Sequence, residues 1–166
     1  MLLVIIVLLL EVLFYSIFFN KARGDKKFIR YFIAFGLVTI IGVFIKTNYF
    51  VSYLLLIFMM LYAIKYIVRV KTSLYDLLTI ILMLILKTII EIPVYYLLVD
   101  TMNRYVLSIL AGIIKILVLL ILNDKLNKFY NYLKIKWDNN NFYIRYLFSV
   151  MLYLYVIIVA ILLIVK

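Results

Sequence analysis

Neither cysteine nor histidine occurs in these 166 residues, and proline and tryptophan each occur only once. Without cysteine there is no disulfide, no thiolate metal site and no thiol nucleophile. Without histidine the commonest general base is missing, as is the phosphoacceptor of a histidine kinase. Acidic residues are scarce, seven against eighteen lysines and arginines, which gives a formal net charge of +11. Four glycines and one proline leave no flexible linker that would divide the chain into domains.

What is present is hydrocarbon. Seventy per cent of the residues are hydrophobic, and the mean hydropathy is +1.24. That exceeds what a water-soluble core requires and marks an integral membrane protein. Six apolar runs, at about 1–19, 28–45, 49–68, 77–99, 106–122 and 146–165, predict six transmembrane helices in one domain covering 1–166. Strands are excluded because barrel spans alternate apolar and polar residues, whereas 77–86 is apolar almost throughout. The fold class is therefore all-α, a multi-pass protein of the cell membrane. The first run has no basic leader and no small-residue cleavage site, so it reads as a retained span.

Charge placement sets the orientation. Lys21, Arg23, Lys26, Lys27 and Arg30 lie at the first connection, Lys65, Arg69 and Lys71 at the third, and Lys125, Lys128, Lys134, Lys136 and Arg145 at the fifth. Opposite them stand only Lys46, Arg104 and Lys166. Positive residues stay on the cytoplasmic side, so both the N-terminus and the C-terminus are expected to be extracytoplasmic, and something is expected to be missing after Lys166. The positive charge is thus read against anionic inner-leaflet lipid, with no nucleic acid as partner. In the fifth connection, about 124–137, Leu126, Phe129, Tyr130, Leu133 and Trp137 share one helical face, with Lys125, Lys128 and Lys134 around the others. That pattern fits a helix lying in the inner-leaflet interface, or a helical extension of the fifth span. Tyrosines near the span ends, among them Tyr15, Tyr31, Tyr66, Tyr75, Tyr96 and Tyr105, read as an interfacial aromatic belt.

Glu11, Lys87, Glu91 and Lys115 lie inside apolar runs. A charge in hydrocarbon costs about 3 kcal/mol on insertion scales, so the four are expected to pair into a neutral intramembrane polar layer. Lys87 and Glu91 share a face of the fourth helix, and Lys115 on an antiparallel fifth helix reaches a similar depth. Glu91 is expected to pair with Lys87 or Lys115, and Glu11 with the other lysine. Pro93, which removes one backbone hydrogen bond, is the expected hinge of the fourth helix. Such a layer either fixes helix register or switches between two helix arrangements. No nucleophile elbow, metal-ligand set or phosphate loop accompanies it, so neither an enzyme, a cofactor nor a metal is expected.

The first span ends in Phe18-Phe19-Asn20-Lys21. The fourth is entered through Lys71-Thr72-Ser73-Leu74-Tyr75-Asp76 and carries Ile89-Ile90-Glu91-Ile92, and the fifth holds Gly112-Ile113-Ile114-Lys115-Ile116-Leu117. In this order the chain resembles the transmembrane sensor region of peptide-pheromone histidine kinases of the accessory gene regulator type, GHKL-family kinases of Gram-positive bacteria, without the kinase domain. The resemblance implies quorum sensing in a two-component system. It also implies reception of a secreted peptide at the outer helix ends, and a second copy or a separate kinase or regulator as partner. Two other classes remain open: the substrate-binding membrane component of a vitamin-type transporter, and a non-catalytic membrane scaffold.

Overall fold

The computed structural model describes residues 2–44, 49–72, 74–138, 146, 149–150 and 153, with side chains of 49–54, Leu74, Asn123 and 136–138 set aside. The described residues form six helices and no strand: α1 (Leu2–Arg23), α2 (Phe28–Phe44), α3 (Tyr49–Tyr66), α4 (Leu74–Leu98), α5 (Arg104–Ile121) and α6 (Asn123–Asp138). Three of them, α1, α4 and α5, are long and apolar enough to cross a membrane. Helix α2 and the part of α3 from Leu55 to Tyr66 are apolar but shorter. The sixth expected span, 146–165, falls almost entirely outside the described residues.

The helices end where the sequence offers a stop. At the end of α1, Gly24 adopts φ +65°, and its N–H donates to the Asn20 carbonyl at 3.0 Å. A left-handed residue after a helix is inexpensive only for glycine. Helix α1 therefore runs four residues past its expected end at 19, and Lys21 and Arg23 ride on its last turn. Asn103 caps α5, its side-chain oxygen accepting from the Tyr105 N–H at 2.9 Å. Only Leu122 separates α5 from α6.

Side-chain contacts fix the helix directions. Tyr15 meets Phe35 while Phe19 meets Tyr31, so α1 and α2 are antiparallel. Glu11 bonds Lys87 while Arg23 bonds Asp76, so α4 is antiparallel to α1 as well. Leu10 sits against Gly112 and Asn127 against Ala22, so α5 and α6 run in the same direction as α1. All three lysine- and arginine-rich connections consequently lie at one end of the bundle.

Helix α1 is the hub. Phe14, Phe18, Phe19, Tyr31 and Phe35 are wholly buried, with the Phe19 and Phe35 ring centroids 5.3 Å apart. Hydroxyls within the helices bond back one turn: Ser16 to the Val12 carbonyl at 2.6 Å, Thr39 to Phe35 at 2.8 Å and Thr88 to Leu84 at 2.9 Å. This satisfies them without water. Outside, Ile29, Ile33, Leu37, Ile40 and Phe44 form an exposed apolar stripe along α2, a surface suited to lipid.

Two expected features change. Tyr15 and Tyr31 are buried with polar partners inside the bundle, whereas Tyr66, Tyr96 and Tyr105 are exposed. The face of α6 expected to dip into lipid is packed on the protein instead, with Leu126, Tyr130 and Leu133 buried. Polar contacts hold it there: Tyr130 on that face donates to Asp76 of α4, and Asn127 at its edge donates to the Ala22 carbonyl of α1.

Candidate functional site: a shared ionic layer

The four ionisable residues of the apolar runs meet between α1, α4 and α5. The Lys115 ammonium, fully buried, donates to both carboxylates, to Glu91 at 2.7 Å and to Glu11 in a close contact. Lys87 donates to the other Glu11 oxygen at 2.9 Å and lies 3.9 Å from Glu91 on its own helix. The expectation of two separate pairs gives way to a ring of four in which each lysine faces both acids. The arrangement is neutral, and each carboxylate has more than one donor nearby. A buried charge requires that condition, because one unpaired member costs several kcal/mol.

Aromatic rings complete the cage. The Tyr15 hydroxyl accepts from Lys87 Nζ at 3.1 Å, and the same ammonium lies 5.6 Å from the Tyr15 ring centroid. Lys115 Nζ lies 5.5 Å from the centroid of Phe14. A cation over a ring face is attracted by its quadrupole, most strongly where water is excluded.

The layer is asymmetric in access. Lys115 is sealed, whereas the Lys87 and Glu91 side chains retain 22% and 27% exposure. Beyond Glu91, one turn further along α4, the Tyr95 hydroxyl hydrogen-bonds Ser108 on α5. Ser108 also bonds the Arg104 carbonyl at 3.0 Å. Lys87, Glu91 and Tyr95 stand at successive turns of α4, opposite Lys115, Ser108 and Arg104 of α5. Together they make a polar seam from the ionic layer to the α4–α5 connection. Pro93 lies on the exposed side of α4, which continues through it as helix.

A second polar group joins the helices at the lysine-rich end. Arg23 bonds the fully buried Asp76 at 2.5 Å and lies 3.6 Å from Asp25. Tyr130 of α6 donates to Asp76 at 2.9 Å, and Tyr31 of α2 donates to Asp25 at 2.8 Å. Burial and the Asp76 carboxylate push the Tyr130 phenol well above its usual pKa, so it remains a neutral donor. The sequence reading missed this group. The available signal was acids, Asp25 and Asp76, placed at the basic ends of helices.

Lys125, Lys128 and Lys134 are exposed on α6, Phe129 is half-buried, and the Trp137 side chain lies outside the described residues. Among the described residues, no group of three or more acidic side chains is placed to hold a metal ion. No family model matches the chain, and comparison with curated proteins and with solved structures returns no match.

Proposed function

We propose that this chain is a multi-pass, non-catalytic receptor domain of the cell membrane, in which a signal at the outer helix ends is passed inward by rearrangement of the ionic layer. The signal is proposed to be a secreted peptide, in line with the sequence resemblance to pheromone sensors. The observation that carries the reading is that one buried ammonium, Lys115, is shared by two carboxylates on two other helices. A shared donor can favour either acid as α1 and α4 shift. Two neutral arrangements of similar energy are what a two-state switch requires. The polar seam from Glu91 to Arg104 supports it by giving the layer a route to the outer end. Grouping of the three basic connections at the other end supports the expected orientation, with that end cytoplasmic. A six-span count with both termini outside belongs to the same proposal.

Because the chain has no cysteine, a pair can be introduced at Val12 and Gly36, which touch across α1 and α2 outside the polar seam, and its disulfide formation followed in membrane vesicles. Adding the peptide fraction of the producing cells' culture medium should change the cross-linking rate. Glu91→Gln should abolish that change while leaving the basal rate intact. A rate that stays constant with every secreted fraction overturns the receptor reading. Equal loss of expression and of the response in Glu91→Gln would show that the layer only holds the fold.

A further inference from the structure

At the lysine-rich end, the last turn of α1, the turn at Gly24 and the first turns of α6 border an open cavity of about 580 Å³. Lys21, Lys26 and Lys128 line it, together with Asp124, Asn20 and Asn127, for a net charge of +2. None of the three lysines forms an ion pair among the described residues. The floor is rigid: Asn127 Nδ2 donates to the Ala22 carbonyl at 3.2 Å and reaches the Lys21 carbonyl at 3.4 Å. Gly24 permits this approach, since a Cβ there would lie 2.7 Å from the same nitrogen.

We infer that this cavity binds the headgroup of an anionic glycerophospholipid, its phosphate held by Lys21, Lys26 and Lys128. The cavity is larger than a bare phosphate needs and lies where the apolar helices give way to charge, the depth of a lipid headgroup. The inference requires the chain to sit in a bilayer but is independent of what it senses.

The test uses the full chain in nanodiscs or mild detergent, with thermal stability read against added phosphatidylglycerol, phosphatidic acid and phosphatidylcholine. Phosphatidylglycerol and phosphatidic acid should both stabilise and phosphatidylcholine should not. Lys21→Gln with Lys128→Gln, half-buried and exposed respectively, should weaken the phosphatidylglycerol effect by roughly 25-fold, about fivefold for each lysine. An equal loss in the control Lys125→Gln with Lys134→Gln would reduce the effect to general charge and overturn the site. Free glycerol phosphate acting as well as the lipid would assign the cavity to a soluble phosphoester and overturn the lipid. Nanodiscs expose both faces, so orientation and sensing do not affect the outcome.

Discussion

Lys115 concentrates the consequences of burial at one atom. Replacing it with methionine leaves Glu11 and Glu91 facing each other with a single lysine, and the loss should be about 3–5 kcal/mol, the cost of an uncompensated buried charge. Adding Glu91→Gln restores neutrality, leaving Glu11 with Lys87 at 2.9 Å, and should recover a large part of that loss. Thermal unfolding in detergent checks both. A double variant no more stable than Lys115→Met alone would mean that the ring is not electrostatically coupled. The four residues were legible in the sequence because a charge inside an apolar run has few alternatives to pairing. Their sharing was not, since it depends on Lys115 lying between two helices rather than beside one. Asp76 was less legible still: at a helix start it looks like an ordinary partner of the helix dipole, and its arginine is 53 residues away.

Between elements, α1 and α5 approach closely at Gly112, where a Cβ would meet Leu10 at 3.0 Å, one turn from Lys115 of the ionic layer. Gly112→Ala should therefore cost about 1–3 kcal/mol through overpacking. Gly42 has nothing within 4 Å of such a Cβ, so Gly42→Ala should be neutral or stabilise by up to about 1 kcal/mol through helix propensity. The contrast between the two melting shifts is the measurement, and equal shifts would mean that α1 and α5 do not approach there. Apolar runs predicted α1 to α5 with modest shifts at their ends. They gave the wrong surroundings for α6, whose exposed lysines suggested a lipid interface while Asn127 and Tyr130 were already committed to α1 and α4.

For the whole molecule, the proposed orientation has a direct test. Single cysteines at Lys26 and at Met102, both exposed, should react oppositely with a membrane-impermeant maleimide on intact cells, Met102→Cys labelling and Lys26→Cys not. The reverse pattern would overturn the proposed orientation. Apolar association contributes little between helices in hydrocarbon, where lipid tails replace side chains at small cost. The two polar groups, one within the helices and one at the basic end, accordingly tie α1 to α2, α4, α5 and α6. They use four of the seven acids in the chain, Glu11, Asp25, Asp76 and Glu91.

The link between Glu11 and Lys87 also fixes an order of events during synthesis. The acid leaves the ribosome 76 residues before its first lysine, a wait of roughly 4–15 s at about 5–20 residues per second. Through that interval the nascent first helix must remain beside the insertion machinery or carry its carboxyl protonated. Assembly is complete only when the fifth helix delivers the ammonium that closes the ring.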